Sequence, residues 1–269
     1  MNKTESPVTI IIADYSQSDS IIDCLNSLNS WFPTKILISN NLHTKDRLKS
    51  DSGYNFIFHE SQSVYQMWKQ GLTLSHTKWN LLITSNEIVT GQLKKSIENQ
   101  FKTEPTTEKI FKIKKKVVFL KKVLKYPLEW SYELSSCLIF VPEKNKFVFT
   151  EEILKQSHFL SGELVRFNSP TIKDSVEEVF RLADIEADRV FHLPNRRKPT
   201  TLIVKTILKS AYEFFYGLIL KKGFKEGFEG ITFSIMRSLI PVLALPRYFE
   251  KYYRSGKRIE SELHSIKNI

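Results

Sequence analysis

The side chains best suited to chemistry are polar residues that directly follow three short apolar runs of the sequence. Carboxylate, hydroxyl and amide oxygens can ligate a hard cation or accept hydrogen bonds from a bound ligand. If the apolar runs are neighbouring parallel strands, these side chains share the sheet edge at which open α/β sheets bind their ligands. The set consists of Asp14 after the run at residues 8–12, Ser39 and Asn40 at the end of the run at residues 35–39, and Thr84, Asn86 and Glu87 at the end of the run at residues 79–84.

The elements that must position these residues alternate between strand and helix. Helical spacing predicts one helix that buries Ile21, Ile22, Leu25 and Leu28, and a second helix over residues 64–75. This alternation predicts an α/β fold in which a mostly parallel central sheet is flanked by helices. The apolar runs typical of buried parallel strands cover residues 8–12, 35–39, 54–58 and 79–84.

The middle of the chain is rich in lysine and less regular. Eight lysines are interleaved with apolar residues over residues 109–125, which predicts strands with one basic face. A solvated face is the simpler interpretation of these lysines, and contact with an acceptor or a membrane is the alternative. A capping box that begins at Ser175 predicts a helix up to about residue 192. Further strands are predicted at residues 138–141, 146–149 and 164–167.

The net charge divides the chain at about residue 195. The 269 residues carry a formal charge of +11, and residues 196–258 hold 14 Lys and Arg against 4 Asp and Glu, a net charge of +10. The remainder is therefore nearly neutral. We predict an α/β domain over residues 1–195 and a basic helical tail over residues 196–269.

The basic tail is also amphipathic and rich in aromatic residues. Residues 201–220 and 224–239 have apolar side chains at helical spacing, and Pro241 and Pro246 are expected to end the second helix. This combination is typical of helices that lie on an anionic membrane surface. The alternative is that these helices cover the protein's own core. A nucleic acid partner is not expected, because the tail is strongly apolar and lacks a nucleic-acid-binding motif.

Composition narrows the class of protein further. A hydrophobic fraction of 41% suits a packed core and excludes a wholly disordered chain. Cys24 and Cys137 are too few for a disulfide framework, which indicates a reducing compartment. The first apolar stretch is short for a secretory signal, and no uncharged apolar run reaches the ~18 residues of a spanning helix. We therefore expect a cytoplasmic protein.

Two segments late in the chain carry a resemblance to a known family. Residues 180–187 read Phe-Arg-Leu-Ala-Asp-Ile-Glu-Ala, which is similar to the Asn-Arg-Tyr-x-x-Leu-Glu-Ala segment of family 2 glycosyltransferases. Residues 223–230 read Gly-Phe-Lys-Glu-Gly-Phe-Glu-Gly, which resembles the family's Gly-Phe-x-Asp-Gly-x-x-Gly tail helix. Weaker likenesses lie at residues 9–28 and 79–93. The nearest branch makes bacterial lipopolysaccharide core and cell-surface glycans, and its fold is the nucleotide-diphospho-sugar transferase fold called GT-A.

The resemblance implies a nucleotide-sugar donor whose diphosphate is held by a divalent cation, Mg or Mn, on an Asp-x-Asp turn. At the corresponding place this chain reads Thr-Ser-Asn-Glu over residues 84–87, so both aspartates are replaced. The oxygens of Thr84 and Asn86 could hold a cation beside Glu87. The alternative is neutralisation of the diphosphate without a metal by the cations Arg166, Arg181 and Lys69.

The same resemblance implies the remaining roles in a sugar transfer. Asp14, Ser39 and Asn40 are expected near the nucleoside, and Glu151 and Glu152 are the nearest carboxylates to act as the catalytic base. The acceptor is expected to be lipid-linked or a lipopolysaccharide, with the protein peripheral on the cytoplasmic face of the inner membrane. Because both aspartates are missing, a catalytically inactive GT-A module at the membrane surface is the alternative.

Overall fold

The chain divides into two compact units in a computed structural model. Unit 1 comprises Met1–Lys116 and Leu134–Phe167, and unit 2 comprises Val117–Glu133 and Asn168–Ile269. The boundary predicted near residue 195 and the strand predicted at residues 146–149 lie outside the described residues. The structure describes residues 7–15, 20–29, 31–48, 53–60, 63–102, 105, 107–126, 128, 136–142, 158–191 and 199–253.

Four parallel strands form the part of the sheet that positions the polar residues. They pair in the order β3-β2-β1-β4, so the chain moves outward from β1 to β3 and then crosses to the other side of β1. In this register Asp14 lies opposite Ser39, and Ala13 lies opposite Thr84. The carboxyl ends of β1, β2 and β4 are therefore neighbours. The strands are β1 (Val8–Asp14), β2 (Lys35–Ser39), β3 (Asn55–Phe58) and β4 (Trp79–Thr84).

The remaining strands extend the same sheet in antiparallel fashion. Strand β8 joins β4 to β6, β9 pairs with β5, and the short β7 folds back on β6. The turn between β4 and β5 is only two residues long, so it brings Glu87 back beside the end of β4. These strands are β5 (Glu87–Val89), β6 (Lys109–Phe119), β7 (Lys122–Val123), β8 (Cys137–Phe140) and β9 (His158–Phe167).

Helices cover both faces of the parallel strands, because strands that are apolar on both sides must be buried on both sides. Ile10 and Ile12 pack into the core that includes α1 (Ser20–Ser27) and α4 (Gly91–Gln100), whereas Ile11 packs towards α3 (Val64–Leu74). A short helix, α2 (His43–Arg47), follows β2. The predicted helix is present as α1, and Ile21, Leu25 and Leu28 are buried as predicted. The predicted burial of Ile22 is wrong, because this residue is 43% exposed on the outer side of α1.

Unit 2 is mainly helical. The helices that the structure describes in this unit are α5 (Ile172–Phe191), α6 (Pro199–Phe215) and α7 (Phe228–Tyr248), and short helical turns follow α6, precede α7 and follow α7. Its core contains Val179 and Leu182 of α5 together with Phe233 and Ile240 of α7. The predicted fold class, an α/β sheet flanked by helices with a helical C-terminal extension, is confirmed.

Two local predictions in unit 2 are wrong. The reciprocal cap of α5 is formed by Thr171 and Asp174, not by the box predicted at Ser175, whose hydroxyl donates to the Thr171 carbonyl. Helix α7 continues through both of its prolines, because each removes a single N–H donor while the helix stays packed against α5 and α6.

Among the described residues, one helical stretch, Phe228–Lys251, is long and apolar enough to cross a membrane. Its mean hydropathy is 1.4, and half of the most apolar window is buried inside the protein. A buried core helix of a soluble protein can have the same length and composition. Because the stretch contains Glu229, Arg237 and Arg247, it is not an uncharged apolar run of the length considered from sequence.

Candidate functional site

A buried carboxylate joins the carboxyl ends of β1 and β2. Asp14 is 1% exposed, and its Oδ2 accepts hydrogen bonds from the Ser39 hydroxyl at 2.7 Å and the Thr44 hydroxyl at 2.8 Å. The backbone N–H of Asn41 in turn donates to Ser39 Oγ at 3.1 Å. Asn40 is half-buried, and its backbone N–H donates to the Asp14 carbonyl oxygen. The predicted nucleoside residues therefore lie together, and their role stays a prediction.

The turn after β4 is tied together by its own side chains. Thr84 donates its hydroxyl to Asn86 Oδ1 at 2.7 Å, and Asn86 Nδ2 donates to the Phe167 carbonyl oxygen at 3.0 Å. The backbone N–H of Thr84 donates to Glu87 Oε2 at 2.9 Å. These bonds fix the turn against β9 and bring Thr84, Asn86 and Glu87 together, as the sequence predicts.

Glu87 is the centre of a buried ionic cluster, which we define as Glu87, Lys115, Ser136 and Arg166. The Lys115 ammonium lies 3.0 Å from Glu87 Oε1, and both side chains are almost completely buried. The Ser136 hydroxyl donates to Glu87 Oε2 at 2.5 Å. Arg166, which pairs with Glu87 across β5 and β9, has Nη1 at 3.9 Å from Oε1. The cluster therefore surrounds one carboxylate with two cations and a hydroxyl donor.

The electrostatics of the cluster keep Glu87 ionised. Burial alone opposes ionisation, but the positive charges of Lys115 and Arg166 and the hydrogen bonds from Ser136 and Thr84 lower the pKa of Glu87 below its ordinary value. Glu87 is thus a buried anion with charged partners in the native protein.

Arg166 links the ionic cluster to the end of β1. Its Nη2 donates to the Tyr15 hydroxyl at 2.8 Å, and the Arg166 side chain is 4% exposed. Tyr15 directly follows the last residue of β1. A guanidinium held in this way is suited to bind phosphate oxygens, since its planar fork can donate two parallel hydrogen bonds.

The described residues do not fit a divalent cation in the place where the resemblance implies one. The part of the chain that the structure describes has no group of three or more His, Cys, Asp or Glu that could hold a metal. The Lys115 ammonium already lies against Glu87 Oε1, and the oxygens of Thr84 and Asn86 are engaged with each other. A metal on Thr84, Asn86 and Glu87 would have to displace both arrangements.

Two further predicted site residues lie on helices. Arg181 is on α5 in unit 2, where its guanidinium makes a bidentate contact with Glu178 at 2.8 and 2.6 Å. Glu151 and Glu152 lie outside the described residues, so the identity of a catalytic base stays a prediction. Lys69 is exposed on α3.

Sequence reasoning missed Lys115 and Ser136. The alternation along β6 carries a signal for the first of them, because Lys115 falls on the same face as Ile113 and Val117, whereas Lys114 and Lys116 fall on the other face. Six of the eight lysines are exposed, as the solvated-face interpretation expects: Lys109, Lys114, Lys116, Lys121, Lys122 and Lys125. Lys112 is half-buried, and Lys115 is buried. For Ser136 the sequence has no comparable signal.

Comparison with known proteins finds similarity only among solved structures, since neither a protein-family model nor a curated protein matches the chain. The S. aureus protein TarS (residues 1–349) in complex with UDP-GlcNAc is 13% identical, with 94% of this chain and 93% of that chain aligned and a TM-score of 0.42. Its complex with UDP aligns with a TM-score of 0.40 over 94% and 92% of the two chains, also at 13% identity.

A second protein retrieved in the same way is GalNAc-T7 in complex with UDP, GalNAc and Mn²⁺. It is 10% identical, with 72% of this chain and 52% of that chain aligned and a TM-score of 0.43. At these identities and TM-scores the likeness gives no evidence about chemistry. The function has to be inferred from this chain's own residues.

Proposed function

We propose that this protein is a glycosyltransferase of the GT-A fold that binds a nucleotide-sugar donor at the carboxyl ends of β1, β2 and β4. The observation that carries the proposal is the strand order β3-β2-β1-β4 with polar residues at the reversal. Open α/β sheets bind ligands outside the carboxyl ends of the strands at the point where the order reverses. In this chain that point lies between β1 and β4, next to Tyr15, Thr84 and Arg166.

The donor site divides into two parts by its chemistry. The hydroxyl, amide and carboxylate groups around Asp14, Ser39 and Asn40 are suited to hydrogen-bond a nucleoside. Arg166 is suited to the diphosphate, since Lys115 and Arg166 together outnumber the single carboxylate of Glu87 and leave the ionic cluster with one net positive charge. In this proposal the cations of the protein take over the neutralisation of the leaving diphosphate, and no metal is required.

The acceptor and the location follow from the charge of the chain. The net charge of +10 over residues 196–258 supports an acceptor presented at an anionic membrane surface, such as a lipid-linked sugar or a lipopolysaccharide. The proposal therefore includes a peripheral position on the cytoplasmic face of the inner membrane.

An inactive binding module of the same fold is the second candidate. The observation that favours it is that Glu87 contacts Lys115, Ser136 and the Thr84 N–H. These contacts use the carboxylate to stabilise the fold. Such a module would bind the donor and would not transfer its sugar.

Calorimetry with purified protein tests the donor site. UDP-, GDP- and ADP-sugars are titrated with and without Mn²⁺ or Mg²⁺, and the proposal expects binding of one donor class in EDTA. Arg166→Gln should weaken this binding by at least about tenfold, since a hydrogen bond to a charged group contributes ~1.5–3 kcal/mol. Lys102→Gln is the matched control in unit 1, because Lys102 is exposed and follows Phe101, whose ring contacts Trp79 at the start of β4. It should leave the affinity unchanged.

The possible results separate the hypotheses. Absence of binding to every donor would refute the proposal. Binding that requires Mn²⁺ or Mg²⁺ and is lost in Asn86→Ala would restore the metal site predicted from sequence. Binding of a donor with neither transfer to lipid-linked acceptors nor slow hydrolysis of the donor would favour the inactive module.

A further inference from the structure

The helices of unit 2 leave a large apolar surface open. Fourteen large apolar side chains between residues 203 and 242 are exposed by 38% to 67%. Soluble monomers rarely expose a contiguous apolar surface of this kind unless it binds something. We call these fourteen residues the apolar face: Ile203, Val204, Ile207, Leu208, Tyr212, Phe215, Ile219, Leu220, Phe224, Phe228, Ile231, Ile235, Leu239 and Val242.

The apolar face is presented by a helix pair that is locked by buried contacts. Arg237 of α7 donates Nε to Glu213 of α6 at 2.6 Å, and both side chains are buried. The Arg237 guanidinium also lies 5.0 Å from the centre of the Tyr216 ring. A Cβ on Gly217 would come within 2.9 Å of Ser234 Oγ, so the two segments are in close contact. The apolar face is therefore a fixed surface and not a loosely packed segment.

Helical periodicity separates the packed and exposed sides of each helix. On α7 the exposed apolar residues recur at three- and four-residue intervals from Phe228 to Val242, whereas Phe233, Arg237 and Ile240 are buried. On α6 the positions that contact α7 include Ser210 and Glu213, and the exposed apolar residues lie on its other sides. The apolar face is thus turned away from the core of unit 2.

The charges near the apolar face are positive. Lys205, Lys222 and Lys225 are exposed, and Lys221 is half-buried. The acids of residues 199–247 are held by cations or by backbone N–H groups: Glu213 by Arg237, Glu226 by two N–H groups of the loop after β7, and Glu229 by Lys122. The surface is therefore apolar with basic residues along it, which is the chemistry that an anionic lipid surface attracts.

We infer that the apolar face docks this protein in the plane of an anionic lipid monolayer. Helices α6 and α7 lie parallel to the membrane surface, with the apolar side chains in the boundary between head groups and acyl chains and the lysines at the phosphates. The inference rests on the membrane-surface location in the proposed function and specifies the surface and its orientation.

In-plane docking is favoured over a spanning α7 by the position of Arg237. This residue lies near the middle of α7 and forms a buried ion pair with Glu213 on the neighbouring helix. A spanning α7 would have to carry this pair to the bilayer centre or break it, and buried charges there are strongly unfavourable. The buried side of α7 also packs against other segments of unit 2, and a spanning α7 would have to lose these contacts.

A second copy of the chain is the other occupant to consider. Two copies that docked through the same surface would bring their exposed lysines together. Since the nearby acids are already engaged within unit 2, no carboxylate is available among those named above to offset this repulsion. The charge pattern therefore favours lipid over self-association.

Vesicle flotation with the full chain tests the inference. The protein should float with vesicles of phosphatidylcholine and phosphatidylglycerol, and bind much more weakly to pure phosphatidylcholine. Leu220→Asp and Phe228→Asp should each weaken binding at least about tenfold. Lys205→Gln and Lys225→Gln should each weaken it about fivefold on anionic vesicles. Phe159→Asp, at a strand residue of unit 1 that is 61% exposed, is the matched control and should bind as the wild type does.

Depth measurements distinguish docking from spanning. Phe228→Trp, Ile235→Trp and Val242→Trp are compared with the wild type in vesicles that contain brominated lipids. In-plane docking gives the same shallow quenching depth for the three tryptophans, whereas a spanning helix places Ile235→Trp near the bilayer centre.

Several results would overturn the inference. The inference is wrong if Leu220→Asp floats as well as the wild type does, or if the tryptophan of Ile235→Trp is quenched deep in the bilayer. It is also wrong if light scattering shows a dimer that Leu220→Asp converts to a monomer without a change in flotation. Donor binding by calorimetry is measured on the same variants and should be unchanged. Wild-type flotation by Leu220→Asp with intact donor binding would therefore refute this inference alone, whereas loss of flotation by Leu220→Asp with no donor binding in any variant would refute the donor site alone.

Discussion

Neutralising Glu87 should destabilise the protein strongly. In Glu87→Gln the Lys115 ammonium, whose side chain is 3% exposed, loses the carboxylate at 3.0 Å and stays buried. Removing one partner of a buried ion pair costs about 3–5 kcal/mol because the remaining charge is desolvated without compensation. At ~2–4 °C per kcal/mol this corresponds to a drop of about 6–20 °C in the melting temperature.

The assay is thermal and urea unfolding followed by circular dichroism. Glu177→Gln is the matched control, because Glu177 and Lys173 form an exposed pair at 4.0 Å on α5 and such pairs contribute little to stability. The double variant Glu87→Gln/Lys115→Met removes both charges, so it should regain part of the lost stability. The reasoning is refuted if Glu87→Gln unfolds at the same temperature as Glu177→Gln.

The same pair predicts a pH dependence. Because the pKa of Glu87 is lowered in the folded protein, the unfolded chain binds a proton at higher pH than the native state does. The stabilisation by Glu87 is therefore fully present above the ordinary glutamate pKa, ~4.3, and is lost as the pH falls through the lower folded value. Glu87→Gln should lack this part of the acid destabilisation, and identical slopes of unfolding free energy against pH in the two proteins would contradict the assignment.

Three further predictions concern packing, thiol chemistry and a buried acceptor. Gly71→Ala should cost ~1–3 kcal/mol of unfolding free energy, because its Cβ would lie 2.3 Å from an isoleucine side chain of β1, while Gly91→Ala meets no atom within 4 Å and should leave the urea midpoint unchanged or slightly raised. Burial raises the pKa of Cys24 and Cys137, so neither thiol should react with iodoacetamide at pH 8 until denaturant is added, and rapid labelling of the folded protein would disprove their burial. Glu226→Ala should lower the unfolding free energy by ~1–3 kcal/mol, since two backbone N–H groups of the loop after β7 lose their acceptor, and an unchanged melting curve would contradict this contact.

The sequence was sufficient to predict the parallel strands and the edge at which the polar residues meet. Where continuous apolar runs alternate with helical segments, the runs are expected to be strands that are buried on both faces. The positions of β1, β2 and β4 could therefore be predicted from the local pattern. Asp14 and Thr84 were expected at strand ends for the same reason. The predicted stop of α7 at Pro241 failed because local propensity was outweighed by packing against α5 and α6.

The partners of Glu87 could not be predicted in this way. Lys115 and Ser136 are 28 and 49 residues away in sequence, and antiparallel strand pairing brings them to the carboxylate. No local periodicity records which strands pair or in which register. From the sequence, a cation on Thr84, Asn86 and Glu87 and metal-free neutralisation by protein cations were both open. The structure surrounds Glu87 with cations from β6 and β9.

By itself, the sequence determined the α/β class, the strand ends that carry Asp14, Ser39 and Thr84, and the strong positive charge of the C-terminal helices. These properties depend on composition and on periodicities of two and 3.6 residues, which are local. Only the tertiary structure decided which charges neutralise Glu87 and which apolar residues of α6 and α7 remain exposed. Both depend on contacts between segments that are distant in the chain, because burial and charge pairing are set by how the elements pack.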